Sequence, residues 1–134
     1  MNKSFYALFL AIMALLFLIA ITGSRHEVLQ VHYLYASWCE YCPDATAVLA
    51  NASSKMGGSI NIILYDEAER KTDPYVAQIY SDYKARNLFG GFPTMVSIGK
   101  KGTSNLVGLR SEKEVKDWLC SQFVQPPFEC IAGR

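Results

Sequence analysis

A chain of 134 residues with a formal net charge of +1 is long enough for one domain and too short for two of ordinary size. Its 13 Lys and Arg nearly balance 12 Asp and Glu, so the clustered basic surface that phosphate binding needs is not evident. Composition therefore argues against nucleic acid as a partner. The nearest basic cluster, Lys100 and Lys101, falls in a predicted turn, where solvated charges are usual.

The N-terminus carries an uncharged apolar run over residues 5–21. This run of about 17 residues is at the short end of a membrane span and longer than the usual apolar core of a secretory signal. A buried core helix fits less well, because a run without a polar face would need protein on every side. Lys3 before the run favours a cytoplasmic N-terminus and export of the residues after the run.

We therefore predict that residues 1–24 are a signal-anchor or a signal peptide and that residues 25–134 form one exported domain. An uncleaved segment would hold the domain to the membrane through residues 5–21, with the domain on the extracytoplasmic side. A cleaved segment would leave a secreted or periplasmic protein. Small residues suitable for cleavage are present but form no strong site, so both alternatives stay open.

The predicted domain begins with a strand, a cysteine pair and a helix. Residues 27–35 are rich in Val, Leu and Tyr, the pattern of a strand, and residues 44–56 have the pattern of a helix that ends at glycine. Cys39 and Cys42 fall between them, at the start of the helix. There the unpaired backbone N–H groups and the helix dipole favour a thiolate and lower the pKa of the first cysteine. Two cysteines at this spacing can exchange between dithiol and disulfide with little backbone movement.

The rest of the domain alternates strands and helices. Three more strands are predicted, over residues 59–65, 94–98 and 104–109. The first of these is mostly apolar, so we place it in the centre of the sheet, and the last two pair as a hairpin. Asp73 and Pro74 signal the start of a helix that ends within 88–91, and the charged residues 66–73 are predicted as a loop.

A capping box marks the last helix. Ser111 is followed three residues later by Glu114, the spacing in which each residue can bond the other's backbone N–H. The apolar residues after it fall on one face: Val115, Trp118, Leu119 and Phe123. The order of elements predicts an α/β three-layer sandwich, with a mixed central sheet, helices on both faces and one N-terminal apolar helix before it.

Three motifs of this chain resemble the thioredoxin family. The family's active site, Trp-Cys-x-x-Cys after a buried strand, is matched by ASWCEYC at residues 36–42. Its cis-proline loop, which faces the cysteines across the substrate groove, is matched by GFPT at residues 91–94, and its closing pattern by LVGL at residues 106–109. The resemblance covers about residues 27–123 and implies a thioredoxin-like fold.

The resemblance also implies a thiol–disulfide oxidoreductase that acts on cysteine-containing proteins. Cys39, the more exposed cysteine, would attack a substrate disulfide, and Cys42 would resolve the mixed disulfide. The cysteines carry the electrons, so no cofactor is expected, and a membrane or soluble redox partner would exchange electrons with them. Trp38, Phe92 and Pro93 would form the substrate groove, with Trp38 packed beside the pair and Pro93 in cis.

Several residues depart from the family pattern. Many thioredoxins carry a buried acid six residues before the first cysteine, where this chain has Tyr33, so another group such as Glu40 does that work or proton transfer is slower. Glu40 and Tyr41 replace the usual Gly-Pro and would tune the redox pair, because a negative charge beside Cys39 raises its pKa. Pro43 follows the second cysteine and removes an early backbone hydrogen bond if Cys39 caps the helix.

A second cysteine pair lies at the C-terminus. Cys120 falls near the end of the last helix and Cys130 in the tail, and an even cysteine count in an exported domain suggests a structural disulfide. A second redox pair and separate free thiols are the alternatives. No metal site is expected, because zinc prefers four ligands and neither His26 nor His32 has metal-ligand spacing to the first pair.

Two other functions fit the residues less well. A thioredoxin fold could act at the membrane as a binding or assembly module without catalysis. A thiol peroxidase would need a threonine and an arginine around one peroxidatic cysteine, and no such set is evident near Cys39.

Overall fold

A computed structural model of the chain describes residues 3–22 and 26–132. Helix α1 covers Lys3–Thr22, and its side chains from residue 3 to residue 20 are exposed. By length and composition α1 could cross a membrane, a property that it shares with signal sequences. The predicted boundary between residues 24 and 25 lies outside the described residues.

Four strands form one mixed sheet in the order β2-β1-β3-β4. The strands are β1 (Leu29–Tyr35), β2 (Ile60–Asp66), β3 (Thr94–Gly99) and β4 (Gly102–Val107). β1 pairs parallel with β2 and antiparallel with β3, and β3 pairs antiparallel with β4 through a tight turn. The parallel pair needs a helical crossover, whereas the antiparallel pair needs only the turn. The predicted α/β class with a mixed sheet is confirmed.

Helices cover both faces of this sheet. They are α2 (Cys42–Ser54), a 3₁₀ helix (Glu67–Lys71), α3 (Pro74–Ala85), α4 (Glu112–Gln122) and a short α5 (Phe128–Ile131). Alternate residues of β1 point to opposite faces. Leu29 and Val31 join the core with α2 and α4, whereas Leu34 packs with Tyr80 of α3. This arrangement confirms the three-layer sandwich.

Two of the predicted helix starts, those at Asp73 and Ser111, are confirmed by their caps. The Ser111 hydroxyl accepts from the backbone N–H of Glu114 at 3.2 Å, and the Glu114 carboxylate accepts from the backbone N–H of Ser111 at 2.9 Å. The Asp73 carboxylate accepts from the backbone N–H of Tyr75 at 2.8 Å, with Pro74 in the first helical position. These bonds satisfy N–H groups that have no partner within the helix.

The position of β2 was predicted wrongly. The strand lies at an edge of the sheet, beside β1, and not in its centre. Its apolar pattern has another cause, because helices partly cover both faces even at the edge. Ile62 packs on the core beneath α2 and α4, and Ile63 packs on the core beneath α3. Leu64 is 53% exposed, as an edge position allows.

Several boundaries also differ from the prediction. α2 and β4 each begin two residues early, and α3 ends at Ala85 because Asn87 takes a positive φ of 56°. The predicted loop over 66–73 contains the 3₁₀ helix, which starts where the Asp66 carboxylate accepts from the backbone N–H of Ala68 at 3.0 Å. Short polar side chains of this kind cap turns as readily as they form loops.

Candidate functional site

The first cysteine pair lies at the carboxyl end of β1, where the chain enters α2. Cys39 and Cys42 are joined by a disulfide, with their Cα atoms 5.4 Å apart. Cys42 is the first residue of α2 and Tyr41 is its N-cap, so the cap is not Cys39. Cys39 is 8% exposed and Cys42 3%, so Cys39 is the more accessible sulfur, as expected.

Pro43 fits the helix start without loss of a bond. It lies in the first turn of α2, where backbone N–H groups have no partner within the helix. The first turn closes through the backbone N–H of Ala45, which donates to the carbonyl of Tyr41 at 3.0 Å. The disulfide therefore lies at the positive end of the α2 dipole, which stabilises a thiolate there once the bond is reduced.

A loop with a cis peptide bond lies against the pair. The cis bond joins Phe92 and Pro93, and the Phe92 side chain packs on the small cluster that holds both cysteines. The loop is held by two hydrogen bonds. The backbone N–H of Gly108 donates to the carbonyl of Pro93 at 2.8 Å, and the Thr94 hydroxyl donates to the carbonyl of Gly91 at 2.5 Å. Two motifs about fifty residues apart in sequence thus meet at one site.

Aromatic side chains surround the pair. Trp38 is 70% exposed, and its ring packs edge-on against Phe92 with centroids 5.4 Å apart and planes at 88°. Tyr41, between the cysteines, is 58% exposed. Glu40 is exposed as well, and a solvated carboxylate is no substitute for a buried acid.

Two hydroxyl groups lie behind Cys42, where thioredoxins often have an acid, and of their residues Tyr33 is buried whereas Thr46 is exposed. The Tyr33 hydroxyl donates to the carbonyl of Cys42 at 2.9 Å. The Thr46 hydroxyl lies 2.8 Å from the same carbonyl and 3.2 Å from the Tyr33 oxygen. Burial raises the pKa of Tyr33, so its hydroxyl remains protonated at neutral pH and acts as a donor.

Sequence reasoning identified Tyr33 only as a departure and missed Thr46. A signal for Thr46 was present, since a threonine four residues after a helical residue commonly bonds that residue's carbonyl.

The second cysteine pair is also a disulfide. Cys120 and Cys130 have Cα atoms 5.6 Å apart and link α4 to α5. Cys130 is 5% exposed, and its sulfur lies 3.6 Å from the sulfur of buried Met56. The tail is held further by Glu27, whose carboxylate accepts from the backbone N–H groups of Val124 and Gln125 at 3.1 Å. This pair packs in the core between the sheet and helices α2 and α4, and not in the cluster that holds the first pair.

The two histidines lie in different settings. His26 is exposed, whereas His32 is buried on the α3 face, with its Nδ1 2.7 Å from the Tyr83 hydroxyl oxygen. Burial lowers the pKa of His32. Within residues 3–22 and 26–132, no group of three or more His, Cys, Asp or Glu side chains is placed to hold a metal ion.

Comparison with known proteins finds similar structures. No family model matches the sequence, and no curated protein matches it. A mutant thioredoxin from Halobacterium salinarum is 22% identical with a TM-score of 0.55, and the match covers 75% of this chain and 80% of that one. Chloroplastic thioredoxin z is 18% identical with a TM-score of 0.54, and the match covers 75% of this chain and 81% of that one.

A third similar structure is the germline-specific thioredoxin Deadhead from Drosophila melanogaster. It is 15% identical with a TM-score of 0.52, and the match covers 80% of this chain and 91% of that one. At sequence identities this low, the similarity is evidence for the fold alone. With the mixed sheet and its helical layers, these neighbours show that the chain has the thioredoxin fold, with a Cys-x-x-Cys pair where β1 meets α2.

Proposed function

We propose that this chain is a thiol–disulfide oxidoreductase that exchanges disulfides with cysteine-containing proteins outside the cytoplasm. The observation that carries the proposal is the position of Cys39 and Cys42. They are bonded to each other at the N-terminus of α2, with the Phe92–Pro93 loop packed beside them. A dithiol at a helix N-terminus is activated by the dipole and by unpaired N–H groups.

The exchange moves two electrons in two steps. In the reducing direction, the Cys39 thiolate attacks one sulfur of a client disulfide, that bond breaks, and the first client thiolate leaves. The Cys42 thiol then loses its proton and attacks the Cys39 sulfur, which releases the second client thiolate and forms the Cys39–Cys42 bond. The reverse steps oxidise a client. All the electrons reside in sulfur, so the proposal needs no cofactor.

The groove beside the cysteines would hold the client chain. Trp38 and Tyr41 present exposed rings, and Phe92 contacts both the Trp38 ring and the cluster that holds the cysteines. Aromatic rings supply much contact area with little loss of side-chain entropy. We assign Trp38, Phe92 and Pro93 to client contact, and Glu40 and Tyr41 to tuning of the redox pair.

Helix α1 supports export or anchoring of the domain. Its apolar length matches a membrane span or a signal sequence, and Lys3 precedes the apolar run. We propose that the domain works on the extracytoplasmic side, held there by residues 5–21 if they are retained. Its redox partner would be a membrane or soluble protein with exchangeable thiols.

The reduction potential of the first pair tests this proposal and gives the direction of electron flow. The full chain in non-ionic detergent is equilibrated in thiol–disulfide buffers, free thiols are alkylated, and each cysteine peptide is quantified by mass spectrometry. A value near about −270 mV would indicate a reductant, and one near about −120 mV an oxidant. A Cys39–Cys42 pair that stays in one state at every accessible potential would contradict the proposal.

A trapping variant separates an enzyme from a non-catalytic binding module. In Cys42→Ser the second step is blocked, so an oxidoreductase should accumulate mixed disulfides between Cys39 and its clients. Non-reducing gels with and without dithiothreitol would show these adducts. A binding module would hold the same partners without dithiothreitol-sensitive bonds, and that result would favour the alternative.

A further inference from the structure

A cavity of about 220 Å³ lies between the 3₁₀ helix and α3. Its lining residues are Arg70, Tyr80, Ser81, Lys84 and Phe89. Both charged lining residues are cations, and the volume is enough for a carboxylate side chain with a few waters, since each water occupies about 30 Å³.

The guanidinium group of Arg70 lies over the ring of Tyr80, which is itself fixed by hydrogen bonds. Its central carbon lies 5.0 Å from the centroid of the Tyr80 ring. Tyr80 is 2% exposed, and its hydroxyl donates to the carbonyls of Tyr65 at 2.9 Å and Tyr35 at 3.3 Å, so β1 and β2 fix the ring. A guanidinium above an aromatic ring still presents N–H donors at its edges, and these donors suit a carboxylate.

Packed rings connect the cavity to the cysteines. Phe89 of the cavity lies 5.1 Å from Phe92, measured between ring centroids, and Tyr80 lies 6.0 Å from Phe92. Phe92 in turn packs on the cluster of Cys39 and Cys42. The cavity is therefore one ring contact beyond the side chain that packs against the cysteine cluster.

We propose that this cavity binds an acidic side chain of the client while the client's sulfur lies at Cys39. The inference rests on the proposed function and names its preferred substrates, which are proteins with Asp or Glu about three residues from the reacting cysteine. An extended chain covers about 10 Å in three residues, which suits a cavity one ring contact beyond Phe92. Arg70 and Lys84 are specificity-determining residues in this arrangement.

Several acidic residues lie close to the cavity in sequence, and the charges of two of them, Asp66 and Glu67, act on the Tyr80 of its wall. Glu67 places a carboxylate oxygen 3.6 Å from Arg70, which is longer than a hydrogen bond, so it competes by charge without closing the site. The Asp66 carboxylate is engaged with the backbone N–H of Ala68. Two cations thus face two nearby carboxylates, one of which already accepts a backbone hydrogen bond.

The test compares client peptides that differ by one side chain. Each peptide contains one cysteine bridged to 2-mercaptoethanol, with Asp, Asn or Lys placed two, three or four residues away on either side. The full chain in non-ionic detergent reduces the bridge, releases the peptide thiol and mercaptoethanol, and is itself reduced again by dithiothreitol. We expect kcat/KM for the best-placed Asp peptide to exceed that of its Asn partner by about threefold to tenfold, the range for two exposed charge pairs.

Matched variants locate the effect. Arg70→Glu with Lys84→Glu should reverse the preference from the Asp peptide to the Lys peptide, and this reversal also shows that the variant is folded. Lys71→Glu with Arg86→Glu is the control, because it makes the same charge change on the 3₁₀ helix and at the end of α3 without touching the cavity lining. Glu67→Gln should increase the Asp preference by removing the competing carboxylate.

The outcomes separate this inference from the proposed function. Reduction of every peptide with no difference between Asp and Asn would overturn the acidic-client inference and leave the oxidoreductase standing. An equal loss of preference in the cavity variant and in the control would also overturn it, since the cause would be the general field of the domain. Absence of disulfide exchange with every peptide, in either direction, would overturn both.

Discussion

The two disulfides of this chain are the same covalent bond in different surroundings. Cys39 and Cys42 are three positions apart at the start of α2, and the rings of the adjacent residues Trp38 and Tyr41 are exposed. Cys120 and Cys130 are ten positions apart and join α4 to a tail whose cysteine is buried against Met56. The first setting favours a thiolate once the bond is reduced, whereas the second places the Cys130 sulfur in the core. The contrast indicates that the surroundings of a disulfide, more than the number of cysteines, determine whether it exchanges with other thiols or stabilises the fold.

The largest expected effect comes from removal of the attacking sulfur. Cys39→Ser should reduce disulfide exchange to the uncatalysed rate, because a hydroxyl does not replace a thiolate as nucleophile. The double variant Cys120→Ser/Cys130→Ser should retain exchange at a temperature where it is folded. Turnover of a disulfide-bridged peptide by both variants would check the contrast. Equal losses would mean that the second pair relays electrons, which was one of the alternatives for it.

The second effect is on stability and should be larger at the second pair than at the first. Closing a loop of about ten residues stabilises by about 2–3 kcal/mol in the chain-entropy model, so Cys120→Ser/Cys130→Ser should lower the free energy of unfolding by that amount. Denaturant unfolding of the variant and the parent measures it. Reduction of only the Cys39–Cys42 bond is the matched control, since a loop this short constrains the unfolded chain less. A larger loss of unfolding free energy on reduction of the first pair would mean that the first disulfide, and not the second, is the structural one.

Local signals predicted most of this fold. The capping box at Ser111 and the Asp73-Pro74 start were correct because each depends on neighbours in sequence. The place of β2 was wrong because an apolar strand next to helices on both faces looks the same at an edge as in the centre. The helix α5 was missed because four residues carry too little periodicity to detect.

The candidate site could be predicted only in part. The cysteines and Pro93 were identified from motifs, and the structure brings the two segments together. The hydroxyl pair behind Cys42 was not identified, because it depends on the stacking of β1 against α2, a contact between elements. The cationic cavity was missed for the same reason, since Arg70 and Lys84 come from separate helices.

A smaller effect is expected from the hydroxyl group behind the first pair. Tyr33→Phe removes the hydrogen bond to the Cys42 carbonyl and keeps the ring, which is stacked on Tyr35 at 5.7 Å. In a mixed disulfide the Cys39–Cys42 bond is absent, so this hydrogen bond helps to hold Cys42 for its attack. We expect release of the client to slow by about twofold to tenfold, the equivalent of one hydrogen bond of about 0.5–1.5 kcal/mol.

Single-turnover release from the Cys39 mixed disulfide measures this step. Tyr35→Phe is the matched control, because it removes a hydroxyl from the same strand and face without a bond to Cys42. The pH profile of Cys39 alkylation should be the same in both variants, which a general loss of structure would not allow. An unchanged rate of client release in Tyr33→Phe would mean that the hydrogen bond only gives the buried Tyr33 hydroxyl a partner and does not position Cys42.

The smallest expected effect is a pH dependence of stability that arises from His32, away from both disulfides. Burial lowers the pKa of His32 in the folded chain, so below the unfolded value of about 6.5 the unfolded chain binds a proton that the folded chain does not. Stability should therefore fall as pH decreases below about 6.5, with a slope of at most about 1.4 kcal/mol per pH unit from this group. His32→Asn should flatten that slope. Unfolding curves from pH 7 to pH 5 measure the slopes, and an equal slope in parent and His32→Asn would show that another group controls the acid response.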